Sequence, residues 1–153
     1  MAVSLGGATE SAAASGRIDV WLASLRRRVF VGEADQVSLR CLIVDDNEAF
    51  LSSASRLLES QGVDVVGSAR TSSEALRLAQ RLRPDVMLVD VLLGEERGLD
   101  LAKRLGELPR AAPVILISTH TADELEELLA DSPAVGFLSK KALSAAAVAR
   151  LVG

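Results

Sequence analysis

The sequence predicts a doubly wound α/β domain: a five-stranded parallel sheet of order 2-1-3-4-5 with helices on both faces. Five short apolar runs alternate with helix-patterned stretches between residues 39 and 152. The first, third and fourth runs read as nearly continuous apolar stretches, the pattern of strands covered on both faces. The stretch after each run is long enough for a crossover helix, which parallel neighbours require.

The first strand is expected over Leu39–Val44 and the next helix over 47–61, with Asn47 as N-cap and Gly62 as its stop. Val63–Ala69 reads as the second strand, and 72–82 as a helix started by Ser72. Pro84 stands just ahead of the third strand, Val86–Val89, where a missing N–H does little harm. A helix over 98–107 follows. Pro113 introduces the fourth strand, Val114–Ile117, and a helix is expected over 121–130. The fifth strand, Val135–Leu138, leads into an Ala-rich helix over 142–151.

The 153 residues are 49% hydrophobic and 25% charged, enough for one cored domain and too apolar for a disordered chain. That domain occupies 39–153. Residues 1–38 form an N-terminal extension: 1–16 are mostly Ala, Gly and Ser and are expected to be flexible. Ile18, Trp21, Leu22, Leu25 and Val29 recur at helical spacing, so 17–30 reads either as a loosely ordered leader or as a short docking helix. Arg17, Arg26, Arg27 and Arg28 are balanced by Glu10, Asp19, Glu33 and Asp35, so the net charge of −4 belongs to the domain. That charge argues against direct nucleic-acid binding, and 3% aromatics without tyrosine argue against a base-stacking platform. The lone Cys41 excludes an intrachain disulfide and a cysteine zinc site. No apolar run reaches the roughly 20 residues of a membrane span and no signal-peptide pattern opens the chain, so a cytoplasmic location is expected.

The polar residues that carry chemistry collect at strand ends. In open α/β sheets ligands bind beyond the carboxyl ends of strands where the strand order reverses, here between strands 1 and 3. Strand 1 ends in Asp45-Asp46, strand 3 in Asp90, strand 4 in Ser118-Thr119 and strand 5 in Lys140-Lys141. Only three lysines exist, and two stand at this one strand end. Each residue alone has a bland explanation as a turn or cap residue; the conjunction points further. Three carboxylates in one pit raise each other's pKa unless a cation intervenes, and hard oxygen ligands suit Mg2+. A lysine and a hydroxyl opposite would complete a cradle for a phosphoryl group, with an aspartate oxygen as nucleophile.

Residues 39–152 resemble the receiver domain of two-component response regulators, a flavodoxin-like fold. The resemblance is carried by Leu-Ile-Val-Asp45-Asp46-Asn-Glu, by Asp90 with Gly98 eight residues on, by Pro113-Val-Ile-Leu-Ile-Ser118, and by Gly136-Phe-Leu-Ser-Lys140. It implies that Asp90 accepts a phosphoryl group from a phosphohistidine on a sensor histidine kinase or phosphotransfer protein. It implies that Asp45, Asp46, Asp90 and the carbonyl of Leu92 hold Mg2+, that Ser118 and Lys140 contact the phosphoryl oxygens, and that Ser118 and Phe137 form the switch. Thr119 is the alternative hydroxyl. The Asp90 loop lacks the common Met-Pro, and Lys141 stands where proline is common. His120 and Leu92, at the mouth of the site, are candidates for modulating hydrolysis of the acyl phosphate.

The chain stops 13 residues after Lys140, so a single-domain form is expected, without an output domain and signalling by protein contact. The face made by helix 121–130, strand 135–138 and helix 142–151 would meet an unknown downstream target or a second copy of the chain. The resemblance implies a phosphoacceptor signalling domain with its own phosphotransfer and autodephosphorylation activity rather than a conventional enzyme. The alternative is a phosphorylation-independent, receiver-like interaction module. An aspartate phosphatase would need a second acid two residues after its nucleophile; position 92 is leucine, and Asp46 with Glu48 is the nearest approach.

Overall fold

The computed structural model describes residues 39–119, 130 and 132–153. The N-terminal extension, His120 and most of the expected helix 121–130 lie outside the described residues. So, in part, does the partner-binding face to which that helix would belong.

A parallel sheet runs through the domain in the order β2-β1-β3-β6-β7. Its strands are β1 (Arg40–Val44), β2 (Asp64–Ala69), β3 (Val86–Asp90), β6 (Val114–Ser118) and β7 (Gly136–Ser139). In chain order these are strands 2-1-3-4-5, the expected doubly wound layout. Between β3 and β6 lies a small antiparallel hairpin, β4 (Leu92–Leu93) and β5 (Glu96–Arg97), pairing Leu92 with Arg97 and Leu93 with Glu96. The hairpin is a departure from the loop read from sequence, and Gly94 turns it with φ +61°.

The helices are α1 (Glu48–Ser60), α2 (Ser72–Leu82), α3 (Gly98–Gly106) and α4 (Ala145–Val152). Asn47 caps α1, its side chain accepting from the Phe50 N–H at 3.0 Å, and Gly62 follows the helix with φ +94°. Ser72 is not the cap of α2. Thr71 has the extended backbone a cap needs and accepts from the Glu74 N–H at 3.2 Å, while Ser72 is already helical and buried. The last helix starts three residues later than expected. Lys140–Ala142 form a 3₁₀ turn, Leu143 is extended and buried, and Ser144 caps α4 by accepting from the Ala147 N–H at 3.0 Å.

The alternation of strand side chains divides the core in two. Leu42, Val44, Met87, Val89, Val114 and Leu116 face Ala75 of α2 and Leu99, Leu101, Ala102 and Leu105 of α3. Cys41, Ile43, Val86, Leu88, Ile115 and Ile117 face Leu51, Ala54 and Leu58 of α1 and Val148 and Val152 of α4. Every residue of β3 and β6 is buried. Each buried Leu, Ile or Val contributes about 2 kcal/mol, so the central strand ends are held rigidly. The Cys41 thiol is pushed up to about 12 by burial and by the Asp85 carboxylate, so it is an unreactive core group. Among the described residues no helix is long and apolar enough to cross a membrane.

Candidate functional site

Adjacent strands β1 and β3 end side by side, which brings their acidic residues together. Asp45 and Asp90 continue the alternation of Ile43 and Leu88, so both carboxyls belong to the face covered by α1 and α4. The Asp45 N–H donates to the Ala69 carbonyl at 3.0 Å, tying the end of β1 to that of β2. Asp45 is fully buried, Asp90 is 8% exposed, and Asp46 faces solvent. One carboxylate oxygen from each lies within 4.8 Å of the others, an arrangement that could hold a metal ion.

Lys140 reaches the same point from the end of β7. Its Nζ is 2.6 Å from Asp45 Oδ2 and 3.5 Å from Asp90 Oδ2. Asp45 Oδ2 is sealed from solvent and no donor among the described residues is aligned with it for a hydrogen bond, so its contact with Lys140 is a close ion pair. The other oxygen, Oδ1, accepts from the Asn47 N–H at 2.8 Å. Asp90 Oδ1 lies at the long limit of a hydrogen bond, 3.4 Å, from the Leu92 N–H.

Burial raises the Asp90 carboxyl most, and the Asp45 carboxylate raises it further; the Lys140 ammonium and the Leu92 N–H pull the other way. The result is a pKa pushed up to about 6. A divalent cation beside Asp90 would favour its ionised form.

Ser118 closes β6 one residue beyond Ile117, the partner of Asp90, and is buried; Thr119 is exposed. Leu92 is 55% exposed at the start of the hairpin. Phe137 is half-buried level with Leu116 and packs on the core of the opposite face, away from the carboxylate side. The structure thus joins Asp45, Asp46, Asp90 and Lys140 directly and sets Ser118 at the neighbouring strand end.

Two contributors, Phe50 and Glu96, escaped the sequence reading, and a third, Gly98, was read there only as a motif position. The Phe50 ring, in the first turn of α1, has its centroid 4.4 Å from Lys140 Nζ. Gly98 packs directly on the Asp90 main chain: a Cβ there would stand 1.9 Å from the Asp90 carbonyl oxygen. Glu96 accepts from the Ser72 N–H at 3.0 Å, tying the hairpin to the start of α2. The motif position was a signal for Gly98; nothing local in sequence marks Phe50 or Glu96. At the rim, exposed Arg70 pairs with Glu48 at 3.2 Å, a contact of little energetic weight.

Residues 41–151 match the family model of the response regulator receiver domain. The chain is 29% identical over 104 residues to the transcriptional regulatory protein PdtaR of Mycobacterium tuberculosis, covering 68% of this chain and 50% of PdtaR. The chain spans half or less of the length of such curated relatives. Among solved structures it is similar to the signal receiver domain of NarL from M. tuberculosis, with TM-score 0.63 and 31% identity over 76% of this chain and 98% of that one. It is also similar to a response regulator from Burkholderia pseudomallei carrying a phosphorylated aspartic acid, a calcium ion and citrate. The TM-score there is 0.64 and the identity 29%, over 73% of this chain and 65% of that one. With the sheet order, the acidic pit and the matching lysine in place, the chain belongs to the response regulator receiver domain family.

Proposed function

We propose that Asp90 is the phosphoacceptor of this receiver domain. The observation that carries this is the meeting of Asp45, Asp46 and Asp90 oxygens within 4.8 Å, with Lys140 Nζ 3.5 Å from Asp90 Oδ2. The phosphorylated aspartate of the Burkholderia relative supports it. An Asp90 carboxylate oxygen attacks the phosphorus of a phosphohistidine on a sensor kinase or phosphotransfer protein. The new O–P bond forms as the N–P bond breaks, and the imidazole leaves with the electron pair. Lys140 neutralises one phosphoryl oxygen, and the buried Ser118 hydroxyl is preferred over exposed Thr119 as donor to another.

The donor set fits Mg2+: three hard carboxylates, one of them with a buried oxygen that makes no hydrogen bond among the described residues and is ion-paired with Lys140. Asp45, Asp46, Asp90 and the Leu92 carbonyl would hold the ion, which supplies charge neutralisation at the phosphoryl oxygens. Ser118 and Phe137 form the switch: the hydroxyl moves toward the phosphoryl group and the half-buried ring turns inward. Phosphorylation then favours one of two surfaces through differential contacts. Output passes through protein contact in the cytoplasm, to a downstream target or a second copy, and ends by autodephosphorylation.

Beryllofluoride, which mimics the phosphoryl group, tests this. The full chain is expected to bind it only with Mg2+, and Asp90→Ala is expected not to bind it. Binding that survives the substitution removes Asp90 as acceptor and leaves a phosphorylation-independent interaction module as the better reading.

A further inference from the structure

We propose that Phe50 is a positioning residue for Lys140. Its ring face holds the ammonium over the site by a cation–π contact and so sets the affinity for a phosphoryl oxyanion. The proposal rests on the reading of Asp90 as phosphoacceptor. Lys140 Nζ lies 4.4 Å from the ring centroid, within the roughly 6 Å over which a ring quadrupole attracts a cation. The lysine side chain is only 13% exposed, so water screens that attraction weakly.

Among the described residues the ammonium also lies 2.6 Å from Asp45 and 3.5 Å from Asp90. Both change partners when the site is used. Asp45 would serve as a ligand of the divalent cation, and Asp90, once phosphorylated, carries an acyl phosphate in place of its carboxylate. The Phe50 ring, by contrast, is neutral, ligates no metal and is not phosphorylated, so its attraction for the ammonium is not taken up by another partner. It is also well anchored. Phe50 donates its N–H to the Asn47 cap at 3.0 Å, and its side chain packs against the core under α1. An aliphatic residue of similar bulk would fill the space without attracting the charge. The ring is therefore a fixed station from which Lys140 can move to the phosphoryl oxygen.

The test replaces Phe50 in the full chain by mono-, di- and trifluorophenylalanine, which preserve shape while draining the quadrupole stepwise. Affinity for beryllofluoride with saturating Mg2+ is expected to fall at each step, by about fivefold at the trifluoro residue. Phe50→Leu should show the same loss at once. Affinity for Mg2+ alone should stay constant through the fluoro series, because fluorination leaves the carboxylate ligands unchanged, while the melting temperature of the metal-free chain should fall by a few degrees at most, since the contact is already present there. A flat beryllofluoride affinity, or an equal loss in Mg2+ affinity, overturns the proposal. A natural chain that fails to bind beryllofluoride, or an Asp90→Ala variant that binds it, overturns the acceptor reading and this proposal with it.

Discussion

Gly98→Ala should damage both the fold and the phosphoryl site, although alanine is the better helix former. The added Cβ would lie 1.9 Å from the Asp90 carbonyl oxygen, 2.9 Å from its carbon and 3.0 Å from Val91 Cα. All three are main-chain atoms, so no side chain can swing aside, and the start of α3 must withdraw by about 1 Å. That movement breaks the 2.7 Å hydrogen bond from the Gly98 N–H to the Val91 carbonyl. The lost bond costs about 1 kcal/mol and the overpacking about 2 kcal/mol, against a helix-propensity gain of at most about 1 kcal/mol. The net loss is about 2 kcal/mol, a fall of about 1 M in the urea midpoint. Displacing the Asp90 main chain also exceeds the roughly 0.5 Å tolerance of a preorganised site, so Mg2+-dependent beryllofluoride binding should weaken at least tenfold. Gly62→Ala is the control. Nothing lies within 4 Å of its added Cβ, so only the φ of +94° is penalised and binding should be retained. A Gly98→Ala chain with an unchanged midpoint and unchanged binding would refute the reasoning.

Three further outcomes are expected. Because burial and Asp45 raise the folded-state pKa of Asp90 from 3.8 to about 6, the folded metal-free chain binds this proton more tightly than the unfolded chain. Its contribution to stability therefore declines as pH rises through that window. Asp90→Asn should melt higher than the natural chain at pH 7.5 in EDTA, with the difference closing toward pH 4; melting curves across pH decide this. Lys140→Met removes the cation beside two buried carboxylates and should cost about 3 kcal/mol at neutral pH in EDTA, less below about pH 6 where Asp90 takes up its proton, measured by urea titration. Leu92→Asn should shorten the lifetime of the phosphorylated chain several-fold by admitting water, and radiolabel decay in this variant and in His120→Ala measures whether either residue governs hydrolysis.

The sheet was legible because its central strands are apolar on both faces. A run such as Val-Met-Leu-Val before Asp90 admits little else between Pro84 and a helix pattern. The strand-end chemistry was legible for the same reason: topology alone carries 45, 46, 90 and 140 to one edge of the sheet. Smaller features depended on competition that sequence does not resolve. Thr71 and Ser72 are both able caps, and backbone angle decided for Thr71. The hairpin has two residues per strand, too few for a period, and depends on Gly94 and on the distant Ser72 amide. The unequal fates of neighbouring Asp45 and Asp46, one sealed and one in solvent, arise only once the chain turns into α1.

The cationic arm of the site hangs from the border of the sheet. β7 pairs with β6 alone among the described strands, and all four of its residues are only half-buried, whereas Asp90 extends from a strand buried throughout. Transient fraying should therefore reach Lys140 before it reaches the acids. A ligand gripped by that ammonium would fasten the border strand in return, so slower amide exchange along Gly136–Ser139 would report occupancy from outside the pit.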